Sequence, residues 1–350
     1  MSNVQRAWIV ERRGRPSHAL KLRSDWKIPN KLEPGEVLVR VQAAALNPVG
    51  YKLMAVLPNF MGSGRPLPAE QDISGVIEDG NGTEFSKGDE VFGFIAVDLS
   101  QATRQGALAQ YVKMPADFLV MRPSNVSPVE AAGITLAGQT AYQGLVDIAK
   151  LEAGQTVFIN GGSSAVGAFA IQIAKAIGAR VVATASGKNE DFVRRLGVDE
   201  FIDYTKKPLH EYLTTNPPSP KYHLILDAVA LIDSALYTHS PAYLAPNGLF
   251  LSTGPFPKNA SSSELWKGIK TITAVLTPRW LGGTNRRYAI FLLKNKKSNL
   301  EALQRMIANG SVKPVVDSVY EFEDVLKAYE RLLSSRATGK VVVKVDPLVD

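Results

Sequence analysis

The stretch INGGSSAVG, residues 159–167, has the residue types and spacing of a loop that binds phosphate or presents a serine. The apolar run TVFIN precedes it and the amphipathic run AVGAFAIQIAKAIG overlaps its end, so the loop is predicted to join a strand to a helix. In a dinucleotide-binding unit, glycines at such a turn let the backbone approach a pyrophosphate, and the helix N-terminus supplies N–H groups. The spacing Gly162-x-Ser164-x-x-Gly167 fits that unit, with serine at its middle position.

Two other interpretations of this loop remain open. It could be a purely structural turn, or a variant of the G-x-S-x-G turn that presents a nucleophilic serine. For a hydrolase, Asp227 and His239 follow in the required order, although they lie close together in the chain. Dinucleotide binding agrees best with the strand–loop–helix–strand order. The Cβ of Ser164 would hold a phosphate slightly further out, and its hydroxyl could donate a hydrogen bond to it.

The end of the next predicted strand, RVVATA, bears on the choice of cofactor. An NAD-selective site places an acidic residue there to bind the ribose 2′-hydroxyl. This sequence has Ser186 and Lys188 instead, and Glu190 and Asp191 fit the first turn of the following helix. A hydroxyl and an ammonium group suit a 2′-phosphate, so NADPH is the predicted cofactor. The alternative for Lys188 is a solvated lysine at a helix start.

The composition excludes several classes of chemistry. The chain contains no cysteine, which rules out disulfides, thiol catalysis and cysteine-ligated zinc, and its four histidines form no close pair. We therefore expect no metal site. The net charge is +7, but the basic residues are scattered, so no nucleic-acid partner is predicted. There is neither a long apolar segment nor a secretory signal, which leads us to expect a cytoplasmic protein without a membrane partner.

The pattern of the chain changes near residue 126. Before it, short β-like runs alternate with Gly, Pro and Asn turns, which indicates an all-β unit. After it, strands alternate with helices, which predicts a parallel sheet. The change begins at SPVE, a capping box with Ser127 at the N-cap, Pro128 at the first helical position and Glu130 at the third. The final run GKVVVKV is predicted to return to the first unit as a strand.

Long collinear stretches resemble medium-chain dehydrogenase/reductases of the zinc-free quinone oxidoreductase and enoyl reductase branch. They are EPGEVLVRVQAAALNPVGYK, DISGVIEDG, KGDEVFGF, GALAQYVKMPADFLVMRPSNVSPVEAAGITLAGQTAYQGL and VFINGGSSAVGAFAIQIAKAIGARVVATASGKNEDFVRRLGVDEFIDYTK. The form GGSSA is similar to that of fungal trans-acting enoyl reductases. The resemblance implies an α/β protein in which a GroES-like β domain (residues 1–126 and 306–350) is interrupted by a Rossmann doubly wound parallel-sheet domain (127–305). It also implies an active site in the cleft between them.

Matching the motifs residue by residue implies a set of site residues. The pyrophosphate would be bracketed by Gly161, Gly162, Ser163, Ser164, Ala165, Val166 and Gly167. Ser186, Lys188 and Tyr204 would surround the 2′-phosphate, and Gly254 would lie along the cofactor, with residues 281–283 as further candidates. Thr140 would lie at the nicotinamide side, and Asn47 and Lys52 would face nicotinamide and substrate.

Two positions depart from the family pattern. Gly50 stands where NPVGYK-type motifs have aspartate, and Glu70, in EQDISG, stands where a glycine is expected. The first change removes a carboxylate near Lys52, so the pKa of that lysine cannot be carried over from relatives. The second change is expected to alter a loop.

The implied reaction transfers a hydride from NADPH to an activated C=C bond or a quinone, without zinc. Charge on the substrate oxygen then needs a donor or a cation, for which the candidates are Lys52, Tyr51, Thr140, Asn47 and water. The alternatives are that Lys52 contacts only ribose or a carbonyl, that Tyr51 forms a pocket wall and that Asn47 holds the turn before Pro48.

The partner that the resemblance implies is a small hydrophobic enone or quinone, or a chain carried by an acyl carrier protein, with the enzyme a monomer or homodimer. The segments MAVLPNFMG and TPRWLGG are expected to line the substrate cavity, although core packing accounts for them equally well. A non-catalytic NADPH-binding scaffold also remains open.

Overall fold

A computed structural model describes residues 3–57, 64–254 and 262–349. The strands in these ranges are β1 (Val4–Val10), β2 (Leu20–Lys27), β3 (Glu36–Ala45), β4 (Leu67–Pro68), β5 (Asp72–Asp79), β6 (Glu90–Phe94), β7 (Tyr111–Pro115), β8 (Leu119–Met121), β9 (Thr156–Asn160), β10 (Arg180–Ala185), β11 (Glu200–Asp203), β12 (Tyr222–Asp227), β13 (Leu244–Ser252), β14 (Arg287–Ile290), β15 (Val316–Glu321) and β16 (Lys340–Lys344). The helices are α1 (Pro16–Ala19), α2 (Pro48–Val56), α3 (Val97–Thr103), α4 (Pro128–Ala132), α5 (Thr135–Tyr142), α6 (Ala165–Ile177), α7 (Glu190–Arg195), α8 (Leu209–Thr215), α9 (Ala235–Thr238), α10 (Ser262–Leu276), α11 (Lys297–Ala308) and α12 (Val325–Leu333).

The chain divides into two compact units. Residues up to 139 and from 294 onward form the β-rich unit, and residues 140–293 form the parallel-sheet unit. The sequence analysis placed the changes after residues 126 and 305. The structure places them at 139/140 and 293/294, because α4 packs on β3 and β5, and α11 packs on β8, so both helices belong to the β-rich unit.

The β-rich unit contains two sheets within the described residues. One has the order β2-β1-β4, and the other has the order β15-β16-β3-β5-β6-β8 with β7 also paired to β3. Strand β16 runs antiparallel to β3, with Val342 opposite Ala45, which confirms the predicted return of the last strand. Alternate residues of β3 (Val37, Val39 and Val41) are fully buried, so the period of two that marks a strand builds this core.

The parallel-sheet unit has the strand order β11-β10-β9-β12-β13-β14, and each of these pairings is parallel. This is the order of a doubly wound dinucleotide fold, whose direction of winding reverses between the two central strands, here β9 and β12. All five residues of β9 are buried, as expected for a strand covered on both faces. The predicted strands TVFIN and RVVATA are confirmed as β9 and β10.

The predicted capping box is confirmed at the start of α4. The hydroxyl of Ser127 accepts a hydrogen bond from the Glu130 N–H at 3.3 Å, and the Glu130 carboxylate accepts one from the Ser127 N–H at 2.8 Å. Helix α5 continues directly into a π-helical turn, Gln143–Ile148. Among the described residues, no helix combines the length and the apolar character that crossing a bilayer requires.

Candidate active site

The glycine-serine loop begins directly after β9, at the edge of the sheet where the winding reverses. Gly161 has a φ of +86°, a left-handed conformation that favours glycine. A Cβ on Gly167 would lie 2.1 Å from the carbonyl oxygen of Gly161, which is too close for any side chain. These two glycines therefore keep the start of α6 pressed against the loop, as a backbone that approaches a pyrophosphate requires.

Ser164 is the N-cap of α6. Its Oγ accepts a hydrogen bond from the Gly167 N–H at 3.1 Å and donates one to the Gly161 carbonyl at 2.7 Å. The hydroxyl proton is thus used inside the loop, which corrects the expectation that it donates to a phosphate. The N–H groups of Ala165 and Val166, in the first turn, have no acceptor within the helix, and the two residues are half-buried, so these groups are candidates to bind an anion.

A buried polar network under the loop was missed by the sequence analysis. Thr184 Oγ1 accepts from the Gly161 N–H at 3.1 Å and donates to Asn160 Oδ1 at 3.0 Å. Asn160 Nδ2 donates to the buried carboxylate of Asp227 at 3.0 Å. Burial raises the pKa of Asp227, against hydrogen bonds that lower it. The sequence did contain a signal for this network, because polar residues stand at the ends of three apolar strands. Strands β9 and β12 end at Asn160 and Asp227, and Thr184 is one residue from the end of β10.

The same network reaches Gly254. Ser252 Oγ donates to Asp227 Oδ2 at 3.1 Å and accepts from the Gly254 N–H at 3.3 Å. The structure therefore places Gly254 at the same edge of the parallel sheet as the loop, where the sequence analysis expected the cofactor to lie.

The contacts of the hydrolase candidates contradict that alternative. Ser163 Oγ accepts from Asn189 Nδ2 at 3.3 Å, whereas His239 Nδ1 lies 2.9 Å from the Ala235 carbonyl. Asp227 is occupied by Asn160, Ser252 and backbone N–H groups. Among the described residues, the serine therefore has no histidine partner that could act as its base.

The predicted 2′-phosphate residues lie together at the ends of β10 and β11. Ser186 follows β10, Lys188 lies in the exposed turn after it, and Tyr204 follows β11 with 49% of its surface exposed. The structure adds Asp203, which the register of β10 and β11 places opposite Ala185. Its Oδ1 accepts from the backbone N–H and the hydroxyl of Thr205, and these hydrogen bonds lower its pKa.

These residues fit a dinucleotide. A side chain at Gly161 would collide with Val229 and one at Gly167 with the Gly161 carbonyl, so only glycine fits at either position. The first turn of α6 offers N–H groups, and Lys188 supplies a positive charge at the end of β10. The carboxylate of Asp203, to which Thr205 donates two hydrogen bonds, is the opposing charge in this region.

Helix α2 of the β-rich unit carries the other predicted residues. Tyr51 is half-buried and packs against the hydrophobic core of this unit. Burial raises the pKa of Tyr51 and lowers the pKa of the half-buried Lys52. A lysine with a lowered pKa releases its proton more readily, which suits a proton donor.

Asn47 lies in a buried polar cluster before α2. Its Oδ1 accepts from Lys340 Nζ at 2.6 Å, and its Nδ2 donates to Asp72 Oδ2 at 3.0 Å. Lys340 and Asp72 form an ion pair at 2.9 Å, with both side chains almost fully buried. The amide of Asn47 is thus engaged by its neighbours, which favours the interpretation that it holds the chain before Pro48.

The remaining predicted residues lie elsewhere in the two units. Thr140 is buried in α5, at the first position of the parallel-sheet unit. Of MAVLPNFMG, residues 58–62 lie outside the described residues, and Met54 and Leu57 line a cavity of about 40 Å³ beside α2. In TPRWLGG, Trp280 and Leu281 are 82% and 60% exposed, so they are not part of the core.

Comparison with known proteins places these two units in one family. Residues 33–124 match the alcohol dehydrogenase GroES-like domain, and residues 196–343 match the model described as zinc-binding dehydrogenase. The chain is 33% identical to the medium chain reductase pydE of an Acremonium species, over 99% of this chain and 100% of that protein. It is 31% identical to the trans-enoyl reductase poxH of Penicillium oxalicum, over 98% of each.

A plant relative and a solved structure extend this likeness. The chain is 30% identical to the chloroplastic NADPH-dependent alkenal/one oxidoreductase of Arabidopsis thaliana, over 97% of this chain and 79% of that protein. The quinone oxidoreductase of Coxiella burnetii superposes with a TM-score of 0.77 at 24% identity, over 97% and 99% of the two chains, which shows the fold alone.

The fold and the loop thus define an oxidoreductase of the nicotinamide-dependent kind. The chain belongs to the medium-chain dehydrogenase/reductase superfamily, which confirms both the resemblance and the expected α/β fold. The zinc in one model's description does not fit this chain, which has no cysteine and, in its described ranges, no group of three His, Asp or Glu side chains that could hold a metal.

Proposed function

We propose that this protein is an NADPH-dependent reductase of activated C=C bonds or quinones. The observation that carries the proposal is the loop before α6, whose two constrained glycines leave the N–H groups of Ala165 and Val166 available to an anion. Relatives whose names state an enoyl or alkenal/one activity support the substrate class.

The preference for NADPH rests on the end of β10. Ser186 and Lys188 present a hydroxyl and an ammonium group, which bind a charged phosphate more strongly than a neutral ribose hydroxyl. Asp203 is an ionised carboxylate in the same region: Thr205 binds its Oδ1 and its Oδ2 faces Gly187, so Ser186 and Lys188 must outweigh its repulsion of a phosphate. NADPH is therefore expected to bind more tightly than NADH.

Reduction requires a hydride, which reduced nicotinamide supplies when bound. The chain's own groups must then stabilise negative charge on the substrate oxygen and deliver a proton. We assign the proton to Lys52, which the resemblance places toward nicotinamide and substrate, and whose pKa is lowered by burial. Tyr51 packs against the core of its unit, Thr140 remains a candidate contact at the nicotinamide side, and Asn47 holds the chain before α2.

A substrate tethered to an acyl carrier protein is the second candidate. It is supported by the 31% identity to a trans-enoyl reductase over 98% of both chains. Free and tethered forms share the same reacting enone, so both use the same groups in this chain.

The test combines binding and turnover. The purified full chain is titrated with NADPH and NADH by calorimetry, and the loss of NADPH absorbance is followed with free enones, quinones and an enoyl thioester on a carrier protein. We expect tighter binding of NADPH and consumption with at least one substrate class. Binding without consumption across the panel would support a nucleotide-binding scaffold, and binding of neither nucleotide would refute the proposal.

A further inference from the structure

Gly50 and Glu70 meet at the start of α2. Gly50 is the third residue of that helix, and a Cβ placed on it would lie 2.2 Å from Oε1 of Glu70. The carboxylate of Glu70 therefore occupies the space that a side chain at position 50 would need. The two positions at which the sequence departs from its family are in direct contact.

Glu70 holds the first backbone N–H group of this helix start. Its Oε2 accepts from the N–H of Asn47, the N-cap of α2, at 3.0 Å, and its Oε1 accepts from the Tyr329 hydroxyl at 2.6 Å. In a capping box, the N-cap N–H is bound by an acidic side chain three positions further along the same helix. Glu130 does this for Ser127 in α4, where both residues belong to one local sequence.

Helix α2 has no such local cap. The side chain of Asn47 makes no capping hydrogen bond, because Lys340 and Asp72 engage its amide, and Gly50 has no side chain to offer. Without Glu70, the N–H of Asn47 and the hydroxyl of Tyr329 would lose the acceptor that the carboxylate provides in a buried setting.

The backbone of Glu70 shows that the arrangement has a cost. Its φ is +65°, in the left-handed region that non-glycine residues avoid. Such a conformation persists where surrounding contacts hold it, and here both carboxylate oxygens are hydrogen-bonded and the residue is 1% exposed.

We propose that Glu70 is a positioning residue: from the segment before β5, it supplies the capping carboxylate that the start of α2 lacks, and so fixes the helix that carries Tyr51 and Lys52. The inference rests on the proposed function for the role of Lys52. In an α-helix, residues two apart point about 200° from each other, so Lys52 points away from the face on which Glu70 packs against Gly50. Glu70 therefore acts through the position of the helix rather than by contact with the substrate.

The experiment moves the carboxylate from one residue to the other. We compare the wild type with E70G, G50D, the double variant E70G/G50D and E70Q, each as the full chain. R104G is the matched control, because Arg104 is an exposed non-glycine residue with a φ of +56°. It measures what replacement of a left-handed residue by glycine does by itself.

We expect E70G to lower kcat about tenfold or more while changing the dissociation constant of NADPH less than about twofold, because a displaced catalytic group costs rate rather than cofactor binding. G50D alone should have the lowest melting temperature, since it forces a second carboxylate against Glu70. E70G/G50D should recover kcat to within about threefold of the wild type, because the introduced aspartate sits at the third helical position. E70Q keeps an acceptor for the Asn47 N–H, so its kcat should lie between those of E70G and the wild type. The kcat of R104G should match that of the wild type.

The inference is wrong if E70G retains wild-type kcat, or if the double variant is no more active than E70G. If the wild type does not consume NADPH with any substrate of the panel, it is the proposed function that fails. Melting temperatures then decide the capping role alone: recovery in E70G/G50D supports it, and the absence of recovery contradicts it.

Discussion

Helices α6 and α2 begin in opposite ways. At α6, the cap comes from the helix's own N-cap residue, Ser164, and the N–H groups of Ala165 and Val166 have no acceptor within the helix. At α2, the N-cap residue Asn47 is buried, and a carboxylate from another segment binds its N–H. One helix start is open and the other is closed.

A helix start can therefore serve either to bind a ligand or to fix the direction of the helix. An open helix start offers N–H groups and partial positive charge to an incoming anion. At a closed start, the N-cap N–H has already bound a carboxylate, which fixes the direction in which the helix leaves the sheet. The open start suits the cofactor, and the closed start suits the residues that must hold still beside the substrate.

The largest expected effect comes from blocking the open start. G167A would place a methyl group 2.1 Å from the Gly161 carbonyl, so the loop must shift and the N–H groups of α6 move with it. We expect NADPH affinity to fall by about 100-fold or more, about 3 kcal/mol, measured by calorimetry. The control G268A lies in α10, where the nearest atom to a new Cβ is 3.7 Å away, and it should bind NADPH like the wild type. Unchanged binding in G167A would show that this loop does not hold the cofactor.

The next largest effect is expected for helix α2, whose start is closed. K52M removes the proposed proton donor from α2 without touching the loop, so kcat should fall roughly 100-fold while the NADPH dissociation constant stays near its wild-type value. Steady-state kinetics and a binding titration measure the two quantities. K31M, at an exposed lysine, is the control. Full activity of K52M would assign the proton to another group or to water.

The pH dependence of stability tests the buried carboxylate that closes α2. Burial raises the pKa of Glu70 to about 7, against lowering by the Tyr329 hydroxyl, Lys340 and the Asn47 N–H, with the charge of Asp72 raising it further. In the unfolded chain this pKa is near 4.5. Between these values the unfolded state has lost the proton and the folded state keeps it, so the free energy of unfolding should decrease as pH rises through this window. The difference between the two pKa values corresponds to a loss of roughly 3 kcal/mol in the free energy of unfolding across this window.

Denaturant unfolding of the wild type and E70Q at several pH values measures this contribution of Glu70 to stability. The free energy of unfolding of the wild type minus that of E70Q should decrease between about pH 4.5 and pH 7, and it should not change with pH above or below this window. E36Q gives a contrast of opposite sign. Burial disfavours the Glu36 carboxylate, but hydrogen bonds from Lys113 and the Glu33 N–H outweigh this and lower its pKa. That stability is present above pH 4.5 and is lost as pH falls. If the difference for E70Q does not change with pH, Glu70 has the same pKa in the folded and the unfolded chain, and its pKa is not raised by burial.

Local features were predictable from the sequence, and contacts between distant segments were not. The α4 capping box and the strand–loop–helix at β9 and α6 are set by neighbouring residues, and both are confirmed. The pairing of Glu70 with Gly50 joins residues 20 positions apart in the chain, so each appeared as an isolated departure from a pattern. Asp203 was missed for the same reason, since the register of two parallel strands brings it to Ala185.

The smallest expected effect concerns Lys188, at the end of the strand next to the open helix start. K188A removes an exposed ammonium group from the end of β10, so NADPH affinity should fall about tenfold while NADH affinity stays constant, because NADH has no phosphate there. K31A is the control: Lys31 is also an exposed lysine but lies in the β-rich unit, so its replacement should leave both affinities unchanged. Calorimetry with both nucleotides gives the ratio directly. A parallel loss for NADPH and NADH would mean that Lys188 acts on the shared part of the cofactor, and the NADPH preference would then depend on Ser186 and Tyr204.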